Sequence, residues 1–119
     1  MEAVNIGSML ARFSEHWAPK NIAELNDYDV KIVKVLGEFT WHAHADTDEL
    51  FLVIDGALTI QTRAGDVVLG PGELFVVPRG TEHCPRADAE TAVMLIEPRG
   101  VVNTGDAGGD MTAEAETLT

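Results

Sequence analysis

Three of the four histidines of this chain lie in two short segments that also carry acidic residues. His42 and His44 are two positions apart, Glu49 follows them closely, and His83 comes much later in the chain. Side chains two positions apart in a β-strand point to the same face, so a strand would bring the imidazoles of His42 and His44 together. Three imidazole nitrogens and one carboxylate oxygen suit a divalent transition metal. We therefore predict a metal site formed by His42, His44, Glu49 and His83.

The spacing alone leaves the acidic ligand open, because Asp48 and Glu49 are adjacent. In the predicted strand that begins at Glu49, this residue shares its face with Phe51 and Val53. A carboxylate among apolar side chains is costly to bury unless it is paired or bound to a metal. This alternation favours Glu49 over Asp48. The interpretation without a metal is a chance pair of histidines on a solvated face beside a charged loop.

The elements that position these residues are predicted to be β-strands. Short apolar runs between turn residues predict eight strands, at 29–36, 40–45, 49–54, 57–62, 66–69, 74–77, 83–87 and 91–97. Asp55-Gly56 predicts a two-residue hairpin. No interval is long enough for a crossover helix, so we expect an antiparallel sandwich or barrel. Apolar residues at three- and four-residue steps predict one helix over 5–17, which Pro19 ends.

Composition narrows the classes of function. The chain has 119 residues and a net charge of −12, which argues against a nucleic-acid or anionic-membrane partner. No apolar run approaches the roughly 18 residues needed to cross a bilayer, and no basic cluster precedes an apolar stretch at the N-terminus. Cys84 is the single cysteine and is expected to be a small buried side chain rather than a ligand or nucleophile. We expect a single cytoplasmic domain.

The order and spacing of these residues resemble the two sequence motifs of the cupin superfamily. The first motif is matched by Gly37, His42, His44, Glu49 and Gly56, and the second by Gly72, Pro78, Gly80 and His83. The spacer between Gly37 and His42 is one residue shorter than is usual in the family. Ala87 stands where the family often has Asn. Neither departure affects the four positions that match the family's metal ligands.

The resemblance implies an all-β fold, an antiparallel jelly-roll β-barrel, here with a short N-terminal helix. The expected divisions are a helical segment at 1–27, the cupin barrel at 28–102 and a polar tail at 103–119 that either is disordered or drapes across the barrel. The resemblance also implies that His42, His44, Glu49 and His83 bind one divalent ion, which in the family is iron, manganese, nickel or zinc. Small cupins of this kind are commonly homodimers, which suits strands that are apolar on both faces.

Four protein ligands leave one or two coordination positions open, which is typical of a catalytic or ligand-binding metal. We predict a metal-dependent isomerase, lyase or dioxygenase that acts on a small oxygenated molecule, such as a sugar acid or a keto acid. The alternative is a non-catalytic module that binds or senses a small molecule. A metal-free storage or stress protein is a third hypothesis, disfavoured by the buried carboxylate. Thr59, Gln61 and Arg63 share one face of a strand and form either polar groups of the interior or a solvated stripe, and Arg63, Arg79 and Arg86 are available to hold an anionic substrate.

Overall fold

The computed structural model describes all 119 residues and is dominated by β-strands. One short helix, α1, spans Ile6–Leu10. The strands are β1 (Lys20–Leu25), β2 (Tyr28–Glu38), β3 (Glu49–Asp55), β4 (Leu58–Thr62), β5 (Gly65–Leu69), β6 (Leu74–Val77), β7 (His83–Pro98) and β8 (Glu116–Thr117). No helix has the length and apolar character needed to span a membrane.

All eight strands belong to one sheet, and every pairing is antiparallel except that of β1 with β8. Strand β7 is its centre: β2 pairs along one edge, while β4 and β3 pair with successive halves of the other edge. Strands β5 and β6 then extend β4 and β3 respectively. The all-β, largely antiparallel prediction is confirmed. The expected closed barrel is not, because the hydrogen bonds leave the sheet open.

The sheet is not closed by backbone hydrogen bonds, but side chains fill the space that its inner face encloses. The inner faces of six strands meet in one core, whose buried residues are Val33, Val35, Phe51, Val53, Leu58, Ile60, Leu69, Val77, Ala87, Val93 and Leu95. A smaller cluster on the outer face forms where Phe13, Ile22 and Ile32 pack together. Side chains of α1, including those of Met9 and Leu10, cover that cluster. The helix therefore hides part of the outer face of the sheet.

One predicted element is shorter than expected and another is not formed as a strand. The helix expected over 5–17 ends at Leu10, and His16 instead forms an isolated bridge with Lys34. The strand expected over 40–45 is absent, since only His42 makes a bridge there, with His83. The spacing of apolar residues indicates which side chains are buried. It does not indicate whether the backbone of such a short segment forms all the hydrogen bonds of a helix or strand.

The predicted hairpin at Asp55-Gly56 is wrong. Strands β3 and β4 run in the same direction along one edge of β7 and do not pair with each other. Gly56 adopts a positive φ of 96° and lies against Thr91, whose hydroxyl hydrogen-bonds the amide and carbonyl of Ala57. The dipeptide therefore allows a kink in an almost continuous strand. The partner that produces this kink lies far away in sequence.

Residues 83–98 form one strand rather than the two predicted. Residues 88–90, which separated the two predicted strands, are exposed and bulge out of the ladder, because Gly37 pairs with Ala87 while Val35 pairs with Thr91. Two strands were also missed. Strand β1 lies inside the segment 1–27 and pairs with β2, and β8 lies in the tail and pairs with β1.

Candidate metal centre

The segment that carries His42 and His44 is extended and is fixed by the start of β7. His42 and His83 exchange two backbone hydrogen bonds, at 2.9 Å and 2.8 Å, which anchors the two motifs to each other. The amide of Gly80 donates to the carbonyl of His44, so the turn before β7 holds the second histidine. An extended chain alternates its side chains even outside a regular ladder. The side chains of His42 and His44 therefore both reach the interior, where both are buried.

Glu49 opens β3 on its inner face, followed on that face by Phe51 and Val53. Its oxygens lie 3.5 Å from Nε2 of His44 and 3.3 Å from Nε2 of His83. Asp48 points away: its half-exposed carboxylate accepts hydrogen bonds from the amide and Nε of Arg79. The structure thus brings His42, His44, Glu49 and His83 together and leaves Asp48 at the surface.

Backbone carbonyls orient two of the imidazoles. Nδ1 of His42 lies 2.8 Å from the carbonyl oxygen of Thr40, and Nδ1 of His83 lies 2.8 Å from that of Thr81. A carbonyl can only accept, so each Nδ1 donates its proton to the backbone, which leaves the Nε2 of each ring facing the cluster. Such partners fix the tautomer and ring orientation of histidines that bind metals. Both Nε2 atoms are thereby prepared to donate electrons to an ion.

Protonation within the cluster follows from burial and charge. Burial lowers the pKa of His42, and the nearby His83 adds to that effect. Burial also acts against the charged form of His44, but the Glu49 carboxylate outweighs it and raises the pKa of His44. Burial would raise the pKa of Glu49, yet its contacts with His44 and His83 dominate and lower it. Glu49 is therefore an anion at neutral pH.

The four side chains fit a metal ion in both geometry and chemistry. One donor atom from each of the four lies within 4.8 Å of the others. Atoms about 2.1 Å from a shared ion are at most about 4.2 Å apart, so the cluster needs to contract by only a few tenths of an ångström. Nε2 of His44 is buried and makes no hydrogen bond of good geometry, although the Glu49 carboxylate lies 3.5 Å away. Such an orphaned nitrogen is explained by a missing ligand, so this group could hold a metal ion.

A cavity lies beside the cluster inside the sheet. Its volume is about 40 Å³, counted as the space open to the centre of a water-sized sphere. His42 and Glu49 form part of its wall, and the only other ionisable residue in the wall is Glu97. The remaining lining residues are Trp17, Pro19, Val33, Val35, Phe39, Phe51, Leu58, Pro85, Val93, Leu95 and Asn103. The cavity is therefore apolar except at the cluster, Glu97 and Asn103.

Residues 103–106, here called the strap, cross the outside of the cluster. The amide of Asp106 donates to the carbonyl of Ala43, and the amide of Ala43 donates to the Asp106 carboxylate at 2.8 Å. Gly105 lies so close that a Cβ there would overlap the carbonyl of Ala43 and stand 3.2 Å from Cδ2 of His42. Thr104 is fully buried. Of the two expectations for the tail, draping over the barrel describes this segment.

Glu97 and Lys31 form a buried ion pair behind the cluster. Nζ of Lys31 lies 2.9 Å from Oε1 of Glu97, and the two side chains are 4% and 2% exposed. Burial, and then the negative charge of Glu49, raise the pKa of Glu97 to about 7, although Lys31 acts in the opposite direction. Sequence reasoning missed this pair. Alternation contained the signal, since Glu97 shares a face with Val93 and Leu95.

The polar residues proposed from sequence as substrate contacts lie elsewhere. Leu58 and Ile60 of β4 point inward and are buried, which places Thr59, Gln61 and Arg63 on the other face. Arg63 stacks on Trp41 and pairs with Glu82 at the surface. Arg79 and Arg86 do not line the cavity either. None of these five residues lines the cavity, and the face that carries Thr59, Gln61 and Arg63 is the outer one. Cys84 is fully buried, as predicted.

Comparison with known proteins settles the family. Residues 31–102 match the family model of the cupin domain. The chain belongs to the cupin family. It is 33% identical over 94 residues to the uncharacterised protein YdbB of Bacillus subtilis (strain 168), an alignment that covers 78% of this chain and 83% of YdbB. This agreement confirms the family resemblance seen in the two motifs.

A crystal structure of a cupin-2 domain protein from Shewanella frigidimarina NCIMB 400 is similar to this cupin over most of its length. It is 50% identical, has a TM-score of 0.80, and matches 81% of this chain and 94% of its own. Acireductone dioxygenase of Rhodopseudomonas palustris (strain TIE-1) is 35% identical over 60 residues. That alignment covers 47% of this chain and 36% of the dioxygenase, so it relates only part of each protein.

Proposed function

We propose that this cupin is a metal-dependent enzyme acting on a small oxygenated molecule, as an isomerase, lyase or dioxygenase. The observation that carries the proposal is that His42 and Glu49 belong at once to the buried donor cluster and to the wall of a cavity. An ion at the cluster would then be open to a ligand in the cavity. The partial similarity to acireductone dioxygenase supports an enzyme of this kind.

We propose His42, His44, Glu49 and His83 as the ligands of one divalent ion, which is iron, manganese, nickel or zinc. When bound, such an ion supplies a Lewis acid for a carbonyl or enolate oxygen. The protein contributes orientation, because the carbonyls of Thr40 and Thr81 set the imidazole tautomers. The apolar wall of the cavity excludes bulk water from the reacting centre.

Elemental analysis of the purified protein, with and without prior chelation, tests the ligand set. We expect about one equivalent of iron, manganese, nickel or zinc per chain. His44→Ala and His83→Ala should each weaken metal binding by more than the 10- to 100-fold, roughly, that loss of an outer partner costs. His16→Ala is the matched control and should keep full metal content. Full occupancy in both of the first two variants would refute the assignment.

A second matched pair tests the choice of carboxylate. Glu49→Gln removes the buried anion of the cluster, whereas Asp48→Asn removes a half-exposed anion that pairs with Arg79. We expect metal loss only in Glu49→Gln, because an amide is a much weaker ligand than a carboxylate for these ions. Metal loss confined to Asp48→Asn would show that the neighbouring carboxylate is the ligand.

Binding without turnover is the second candidate function. It is favoured by the scarcity of ionisable groups in the cavity, where Glu97 is the only one besides His42 and Glu49. Incubating the metal-loaded protein with sugar acids and keto acids, with a chelated sample as control, separates the two functions. Product formed only with metal supports the enzyme. Saturable binding with no product across that panel supports the binding module.

We also propose a homodimer formed through the part of the outer sheet face that α1 leaves uncovered. Leu74 and Val76 of β6 are 56% and 41% exposed there, beside half-buried Leu50 and Ile96. Exposed apolar patches of this kind mark interaction sites. Light scattering after size exclusion should give twice the chain mass, and Val76→Lys should give the monomer. A wild-type monomer at high concentration would refute this proposal.

The net charge and the single cysteine bear on the location of the protein in the cell and on binding to nucleic acids. We propose that the protein works in the cytoplasm without a nucleic-acid partner, because its net charge is −12 and its one cysteine is a free buried thiol. Cell fractionation checks the first statement and a gel-shift assay at low salt checks the second. Recovery in a membrane or extracellular fraction, or a salt-sensitive shift, would contradict them.

A further inference from the structure

Two stacked aromatic rings form the side of the cavity that lies nearest to solvent. Of the residues in the cavity wall, only Trp17, Phe39 and Asn103 are half-buried, and all the others are buried. The rings of Trp17 and Phe39 lie 4.7 Å apart at an interplanar angle of 24°. Phe39 in turn meets His42 edge to face, with ring centroids 5.4 Å apart. An aromatic surface therefore leads from the solvent side of the cavity to the donor cluster.

Trp17 is held in an unfavourable backbone conformation. Its φ is 58°, in the left-handed region that bulky side chains rarely adopt. Its amide donates to the carbonyl of Lys34 at 2.8 Å, and Nε1 of its indole donates to the carbonyl of Leu36 at 2.9 Å. These two hydrogen bonds fix the ring in the wall of the cavity. Residues strained in this way are concentrated at sites that clamp a ligand, which makes Trp17 a candidate for such a role.

The side chains of the wall offer no free hydrogen-bonding group away from the donor cluster. Both ends of the Asn103 amide are bonded to backbone groups of the C-terminal tail. Glu97 is bonded to Lys31, and its carboxyl group also contacts that of Glu49. A hydroxyl group buried without a partner costs free energy. A ligand with several hydroxyl groups therefore fits this cavity poorly, whereas an apolar body fits it well.

We propose that Trp17 selects a substrate whose oxygenated end binds the ion and whose body is small and apolar. The substrate class is then a small keto acid or enol with a hydrocarbon side chain, rather than a polyhydroxylated sugar acid. Trp17 is the residue that determines this specificity, because its ring, stacked on Phe39, packs against the body while the oxygenated end lies at the donor cluster. This inference rests on the proposed metal site and narrows its substrate class.

The test compares three hydroxamates on the cobalt-loaded protein, titrated through the visible absorption of cobalt. Acetohydroxamate, butanohydroxamate and 3-hydroxypropanohydroxamate share one metal-binding group and differ only in the body. Each buried methylene is worth about a fourfold gain in affinity, so butanohydroxamate should bind about 15-fold more tightly than acetohydroxamate. In 3-hydroxypropanohydroxamate a hydroxyl replaces the terminal methyl group of butanohydroxamate. That hydroxyl finds no partner in the wall, so the affinity should fall about tenfold below that of butanohydroxamate.

Variants at position 17 assign the selection to the ring. Trp17→Gly removes the ring and relieves the backbone strain, because glycine adopts a positive φ freely. We expect the advantage of butanohydroxamate over acetohydroxamate to fall from about 15-fold to about threefold, with little change in acetohydroxamate affinity. Trp17→Phe keeps a ring and should keep most of the advantage. Trp41→Phe is the matched control and should change neither affinity, because Trp41 stacks on Arg63 at the surface and does not line the cavity.

Fluorescence gives a second readout that does not depend on the folding of Trp17→Gly. The chain has two tryptophans, so Trp17 is the only indole in Trp41→Phe. In the zinc-loaded form of that variant, butanohydroxamate should change the emission of Trp17 at concentrations that saturate the cobalt-loaded protein.

Three outcomes overturn the inference. Unchanged emission of Trp17, or a full butanohydroxamate advantage in Trp17→Gly, would show that the body of the ligand does not reach the ring. An equal loss of affinity for all three hydroxamates in Trp17→Gly would show that Trp17 only supports the fold. Equal binding of butanohydroxamate and 3-hydroxypropanohydroxamate would show that the cavity does not select an apolar body. Failure of the proposed metal site gives a different result, because the wild-type protein would then bind no cobalt and show no absorption to titrate.

Discussion

Replacing Gly105 by alanine should detach the strap from the donor cluster of His42, His44, Glu49 and His83. The substitution costs free energy through backbone strain and through steric overlap. The same substitution at Gly108 measures the backbone strain alone. Gly105 and Gly108 both have positive φ, 54° and 61°, so alanine at either position costs about 1 kcal/mol in backbone strain. Only at Gly105 does the new methyl group overlap the carbonyl of Ala43, since nothing lies within 4 Å of the corresponding position at Gly108.

The overlap can be relieved only by moving the strap away from Ala43. That movement breaks the two hydrogen bonds between Ala43 and Asp106, which are worth about 2 kcal/mol together. At about 1.4 kcal/mol per factor of ten, Gly105→Ala should raise the open population of the strap about 30-fold over Gly108→Ala. The global stability should differ less, because the strap is not part of the main core.

Amide hydrogen exchange measured by NMR reads this opening directly, since the amides of Ala43 and Asp106 both donate across the contact. We expect both to exchange about 30-fold faster in Gly105→Ala than in Gly108→Ala, while core amides such as that of Val53 stay equally protected. Metal release to excess chelator should accelerate in the same variant. Equal protection of Ala43 and Asp106 in the two variants would refute the argument that the strap is held by this close approach.

Three other substitutions or treatments have defined outcomes. Burial raises the pKa of the Cys84 thiol to about 11, so iodoacetamide should alkylate it slowly at pH 8 and fast only after unfolding; rapid native alkylation would contradict its burial. Gly56→Ala should lower the free energy of unfolding by about 3 kcal/mol in urea titrations, because its methyl group overlaps the Thr91 hydroxyl and lies 3.0 Å from the Thr91 Cα. Lys31→Met alone should lower the free energy of unfolding by about 3 to 5 kcal/mol, since it leaves Glu97 buried and uncompensated. A smaller loss of stability in Lys31→Met than in the double variant Lys31→Met/Glu97→Leu would refute that.

Alternation along the chain predicted the inner face of the sheet well. Glu49 shares its face with buried Phe51 and Val53, as its position two and four residues before them required. His42 and His44 converge even though their segment is not a regular strand, because any extended chain alternates its side chains. These predictions depended only on the direction of side chains along one segment, which is local information.

Pairing between distant segments was beyond such local information. Asp55-Gly56 has the composition of a hairpin turn, but the contact with Thr91 and the two-part pairing with β7 determine its shape. Lys31 and Glu97 meet because Lys31 pairs with Leu95 in the ladder of β2 and β7, a register that the sequence does not reveal. The position of Glu97 in the wall of the cavity could therefore be found only from the pairing of the strands.

The strap also sets an order of events during synthesis. All four residues of the donor cluster precede residue 84, whereas the segment that covers them begins at residue 103. As the chain leaves the ribosome, the cluster emerges before its cover. The cluster itself is complete only once β7 has paired with its neighbours, so the docking of Asp106 on Ala43 is the last step that covers it. In the finished protein, an ion at the proposed site would therefore exchange only when the strap opens.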